Sequence, residues 1–154
     1  MTPVSQVTDL IPHRPPFLWV DEIVSYETDS AITTEKFIDS ELDLLKGHYP
    51  GNPIMPGVLL CEIIFQSGAL LVARMGQAGT DISRKLPVIT RIERAKFRRP
   101  VRPGNTVITR VVLKEIISAV FFLKGTLKIA GKTAVQVDFS CALVDSSDSS
   151  QPDS

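Results

Sequence analysis

Residues 56 to 75 read PGVLLCEIIFQSGALLVARM, and this stretch decides the architecture. A proline opens it, a glycine follows at position 76, and no proline interrupts it, which are start and stop signals for one long helix. Val58, Leu59, Leu60, Ile63, Ile64, Phe65, Leu70, Leu71 and Val72 spread apolar character around nearly the whole circumference. A surface helix confines its apolar residues to one stripe, so this helix belongs inside a core.

The flanking sequence supplies strands to cover it. Residues 19 to 26 and 31 to 37 are short runs of β-branched and aromatic residues around a polar turn at 28 to 30, and read as a hairpin. Residues 87 to 97, 106 to 117, 119 to 129 and 133 to 144 read as further strands, with turns at Gly104-Asn105 and Ala130-Gly131. The polar segment QAGTDISRK at 77 to 85 reads as a surface loop. One buried helix among antiparallel strands, with no alternation of strand and helix, implies an α+β fold: a single domain over 1–145 in which a curved sheet wraps the helix. The pattern leaves the strand order open. Residues 146–154, SSDSSQPDS, have no apolar face and are expected to form a disordered tail.

The 154 residues are 44% hydrophobic and 22% charged, ordinary for a globular domain. Lysine plus arginine equal aspartate plus glutamate at 17 each, which argues against a nucleic-acid binder relying on a basic surface. On this reading no apolar run is long enough for a membrane span and the start, MTPVSQVTDL, has no signal-like segment, so the expected location is cytoplasmic, with no membrane partner. Cys61 and Cys141 lie in apolar stretches without metal-ligand spacing and are expected to be free thiols. No ligand cluster, P-loop or dinucleotide fingerprint calls for a metal or cofactor.

The densest chemistry lies just before the helix, in HYPGNPIM at 48 to 55. Pro50, Gly51, Pro53, Pro56 and Gly57 stiffen the loop and can hold His48 in one pose. Together with the first helical turns the motif is HYPGNPIMPGVLLCE, ending at Glu62, and it resembles the active-site segment of FabZ-type β-hydroxyacyl-acyl-carrier-protein dehydratases, which have a HotDog fold. IPHRPPFLWVD at 11 to 21 and IERAKFRRPVRPGN at 92 to 105 resemble two further segments of that family, in the family's order.

The resemblance implies that His48 and Glu62 form a catalytic pair across a dimer interface, in a homodimer and in many members a trimer of dimers. The acyl chain arrives on the phosphopantetheine arm of an acyl carrier protein, so no separate cofactor is needed. Dehydration removes an α-proton and protonates a departing hydroxide. Imidazole titrates near neutrality and suits the first task; a carboxyl in an apolar helix suits the second. The helix start offers free backbone N–H groups, and Gly57 N–H is the candidate oxyanion donor. Gln66, at i, i+4 from Glu62, is expected to hold the carboxylate. By analogy with related enzymes the Ile54 carbonyl is expected to accept a hydrogen bond from His48. His13 and Arg14 are accounted for by a turn anchoring the amino terminus, outside the catalytic set.

Between positions 91 and 102 six basic residues, Arg91, Arg94, Lys96, Arg98, Arg99 and Arg102, face a single acid, Glu93. Acyl carrier proteins are acidic, so Lys96, Arg98 and Arg99 are candidate contacts, against the alternative of a solvated strand face. Arg91 stands where family members commonly carry glycine, which puts the shape of the acyl tunnel in question. Two rivals remain: a HotDog acyl thioesterase, and a noncatalytic acyl or carrier binding module. The paired His48 and Glu62 favour dehydration.

Overall fold

The structure is a computed structural model that describes residues 5 to 76 and 85 to 145. At its centre lies the helix α3 (Gly57–Gly76), preceded in the chain by α1 (Ser5–Leu10) and α2 (Asp43–Lys46). The Pro56 carbonyl accepts from the amides of Leu59 at 3.0 Å and Leu60 at 3.1 Å, so the chain becomes helical at Gly57. The first amides of the helix are then free of intrahelical partners. Most of α3 beyond its first turns is buried, including Leu60, Ile63, Ile64, Leu70, Leu71 and Val72.

Six strands wrap it: β1 (Glu22–Glu27), β2 (Ala31–Phe37), β3 (Lys85–Phe97), β4 (Thr106–Ile117), β5 (Val120–Ile129) and β6 (Lys132–Asp145). Their order is β1-β2-β4-β5-β6-β3, and every neighbouring pair is antiparallel. Alternation sends Val107 and Val111 of β4, Leu123 and Leu127 of β5, and Val135, Val137 and Phe139 of β6 into the core. Two glycines bring helix and sheet together. A Cβ at Gly125 would collide with Ile64, and one at Gly68 would stand 2.8 Å from the Phe139 ring. Two buried hydroxyls on this interface pair with each other: Ser67 Oγ donates to the Ile63 carbonyl at 2.8 Å and therefore accepts from Thr34 Oγ1 at 2.7 Å, while among the described residues the buried Thr109 hydroxyl on β4 has no partner.

The α+β expectation holds, with differences at the edges. The first strand begins at Glu22, not at position 19, because the Trp19 amide is taken by the Gln66 side chain at 2.8 Å and not by a strand neighbour. The two short helices are too brief to show an apolar period. Residues 77 to 84 of the expected loop and the tail at 146–154 lie outside the described residues. One expectation needs correction: α3 is long and apolar enough to cross a membrane by length and composition. Its apolarity is accounted for by the sheet that covers it.

Candidate active site

His48 is half-buried in the loop between α2 and α3, and the loop is tied down from both sides. The Met55 amide donates to the Val101 carbonyl at 2.7 Å, and Arg102 Nη1 donates to Asn52 Oδ1 at 2.6 Å. His48 Nδ1 lies 2.6 Å from the Ile54 carbonyl oxygen. A carbonyl can only accept, so Nδ1 carries the hydrogen and Nε2 presents a lone pair in the neutral ring. That is the tautomer of a general base. Tyr49 packs edge-on against the ring at 4.6 Å and is itself largely exposed.

Glu62 projects from the second turn of α3, with its side chain 23% exposed. Gln66, one turn on, donates from Nε2 to Glu62 Oε1 at 3.0 Å. The same amide group donates to the Phe17 carbonyl at 3.0 Å, and Gln66 Oε1 accepts from the Trp19 amide at 2.8 Å. Gln66 is 1% exposed, so it can neither swing away nor trade these partners for water. It fixes the carboxylate and clips the segment before β1 onto α3 at the same time.

That clip brings His13 to the site. His13 Nε2 lies 3.9 Å from Glu62 Oε1, and both residues line a small cavity of about 50 Å³ with Gln66, Ile89 and Cys141. Burial pushes the His13 imidazole below its ordinary range, opposed by the Glu62 charge and assisted by Arg14. Sequence reasoning set His13 aside; its only local signal is a histidine amid the prolines of IPHRPP. His48 does not line this cavity, and among the described residues no hydrogen bond or ion pair joins His48 to Glu62.

Gly57 lies in a separate cleft of about 300 Å³ at the start of α3, walled by Ile54, Leu60, Phe97, Arg98 and Arg99. A Cβ at Gly57 would sit 2.9 Å from the Phe97 ring, so glycine is what allows this ring across the helix start. Among the described residues no carboxylate pairs with Lys96, Arg98 or Arg99; Arg98 Nη2 reaches only the neutral Gln136 Oε1, at 3.4 Å. The other basic residues of the cluster are engaged: Arg91 with Glu93 at 3.2 Å, Arg94 with Asp138 at 2.9 Å, and Arg102 with the loop. Arg91 lines an outer cleft with Lys114 and Lys124, not the Glu62 cavity.

The thiols are chemically quiet. Burial pushes Cys141 up to about 11, and burial with the Glu62 charge raises Cys61. Among the described residues no group of three or more His, Cys, Asp or Glu side chains is arranged to hold a metal ion.

A long helix held in a curved antiparallel sheet, with a histidine loop before it and a clamped carboxylate inside it, defines a HotDog-type protein. The profile of the FabA-like domain family matches residues 11–138, and the chain belongs to that family. It is 36% identical over 142 residues to the 3-hydroxyacyl-[acyl-carrier-protein] dehydratase FabZ of Anaeromyxobacter sp. (strain Fw109-5), covering 92% of this chain and 90% of that one. It is 34% identical to the protein of that name from Caulobacter sp. (strain K31), over 92% and 86% of the two chains. The fold is similar to that in the dehydratase heterocomplex ApeI:P of Xenorhabdus doucetiae, with a TM-score of 0.76 at 13% identity over 96% and 94% of the chains.

Proposed function

We infer that this chain is a 3-hydroxyacyl-acyl-carrier-protein dehydratase, a lyase that converts the (3R)-3-hydroxyacyl thioester to the trans-2-enoyl thioester. The supporting comparison is the identity to FabZ dehydratases along nearly the whole chain. His48 Nε2 takes the α-proton. Glu62 gives a proton to the departing hydroxide, so that one water leaves and a carbon–carbon double bond forms. The Gly57 N–H receives the charge that grows on the thioester oxygen, at a helix start where amides lack intrahelical partners. Gln66 and the Ile54 carbonyl hold the two reacting side chains.

The working unit is a homodimer, in which His48 of one protomer serves Glu62 of the other. Two observations support this. His48 is absent from the Glu62 cavity, and β3 ends the sheet with its outer edge unpaired among the described residues and Val88, Ile92 and Phe97 exposed. An apolar open edge is a surface that proteins normally cover. The unneutralised Lys96, Arg98 and Arg99 meet the acidic carrier protein beside the Gly57 cleft, where two of them form part of the wall. The enzyme works in the cytoplasm, beside the carrier that brings its substrate.

The test is direct. Purified protein is incubated with (3R)-3-hydroxyacyl-acyl carrier protein, loss of water is followed by mass spectrometry, and free thiol is measured in the same tubes. Water loss is expected; thiol release without water loss identifies a thioesterase, and no reaction across several chain lengths identifies a binding module.

A further inference from the structure

His13 sits on a fixed backbone, against Glu62, with one ring nitrogen sealed from solvent. The Arg14 guanidinium donates to the carbonyls of Thr8 at 2.9 Å, Ile11 at 2.8 Å and His13 at 2.7 Å, which clamps the turn that carries the imidazole. His13 Nε2 faces Glu62 Oε1 at 3.9 Å, a distance that a small closing motion turns into a hydrogen bond. Nδ1 is buried, and nothing among the described residues pairs with it.

We propose that His13 is a positioning residue for Glu62, presenting a neutral Nε2–H to the carboxylate oxygen that Gln66 already holds. The proposal rests on the reading of Glu62 as the acid of the dehydration and deepens it.

The tautomer follows from the two environments. A hydrogen on Nδ1 would bury an unpaired donor and aim a lone pair at a carboxylate; a hydrogen on Nε2 avoids both. Full protonation would again bury an unpaired N–H, in keeping with the depressed basicity of this ring. The titratable groups around it are Glu62 on α3, Arg14 on its own segment, and Cys141 on β6, whose thiol is neutral near pH 7. Two N–H groups on Oε1 leave Oε2 as the oxygen that exchanges a proton with substrate.

Three variants separate the possibilities. His13→Phe keeps the ring volume without a donor, His13→Ala removes both, and His13→Gln keeps an N–H near the Nε2 position without basicity. Glu62 titration is read by carboxyl carbon NMR on the free protein, and kcat and KM are read with acyl carrier protein substrate. Either donor-free variant is expected to move the Glu62 midpoint up by about half a pH unit or more. It is also expected to lower kcat about tenfold at an unchanged KM, the signature of a lost transition-state contact. His13→Gln restores both. An unmoved midpoint with wild-type kcat in a folded donor-free variant overturns the proposal. So does a His13→Gln protein as impaired as His13→Ala, since the role is then proton carriage or packing. If neither donor-free variant folds, His13→Gln alone decides between near-wild-type behaviour and tenfold loss. A wild-type protein that dehydrates nothing refutes the dehydratase reading, while the NMR midpoint still reports on the contact.

Discussion

Replacing Gln66 with leucine removes three hydrogen bonds at almost constant volume. The cost can be worked out group by group. The Trp19 amide is left without its acceptor beside a side chain that is 2% exposed, and a buried unpaired donor costs about 1–3 kcal/mol. The Phe17 carbonyl belongs to a residue 49% exposed and can take water instead, so it contributes little. Glu62 also regains water in part. The sum is about 1–3 kcal/mol, or about 2–12 °C in Tm for a chain of this size. Thermal and urea unfolding should be run at one fixed protein concentration, because assembly contributes to apparent stability. The same substitution frees the carboxylate and should lower kcat about tenfold, with KM little changed. A Gln66→Leu protein within about 0.5 kcal/mol of wild type and of equal kcat refutes the idea that this amide joins the segment before β1 to the Glu62 carboxylate and so serves the proposed reaction.

Gly57→Ala pushes a methyl into the Phe97 ring at the helix start and should lower kcat while the fold survives, since Phe97 is 55% exposed and can move; adding Phe97→Ala should recover part of the loss, measured by steady-state kinetics. Arg98→Glu with Arg99→Glu should raise KM for the acyl carrier protein substrate, with a weaker salt dependence, and leave turnover of a short pantetheine thioester unchanged. The Arg110 guanidinium donates to both carboxylate oxygens of Glu27, at 2.7 and 3.0 Å, and holds that carboxyl below its ordinary range. A depressed folded value means stability present at neutral pH and lost as pH falls through it, so the stability gap between wild type and Glu27→Gln should shrink in denaturation series taken below about pH 4.5.

The helix was legible because Val58 to Val72 is apolar on every side, a pattern that only burial explains. The start of β4 and the β5-β6 hairpin were legible because Gly104-Asn105 and Ala130-Gly131 break the apolar runs on either side of them. The closure of β3 on β6 was not, since pairing between distant strands leaves no local mark. The His48 loop and Glu62 stood out as a motif, but the reason the carboxylate stays in place lies in Gln66 reaching back to the Phe17 and Trp19 backbone. His13 was passed over for the same reason: its contact with Glu62 exists only once that clip is made. Arg102 looked like one charge among six and is instead the clamp on Asn52 that steadies the His48 loop. Arg91, where glycine was expected, leaves the Glu62 cavity alone by facing the outer cleft.

The pairing of His48 and Glu62 across two protomers is the centre of the account, and a tagged heterodimer tests it most directly. One subunit carries His48→Ala and the other Glu62→Gln, and the heterodimer is purified by both tags and assayed for water loss. Each parent homodimer should be about 10²–10⁴-fold impaired. In the heterodimer one of the two shared sites keeps an intact His48 from one chain and an intact Glu62 from the other, so it should run at about half the wild-type rate per dimer. A purified heterodimer as inactive as its parents would contradict the account, because it would place both residues of each working site on one chain.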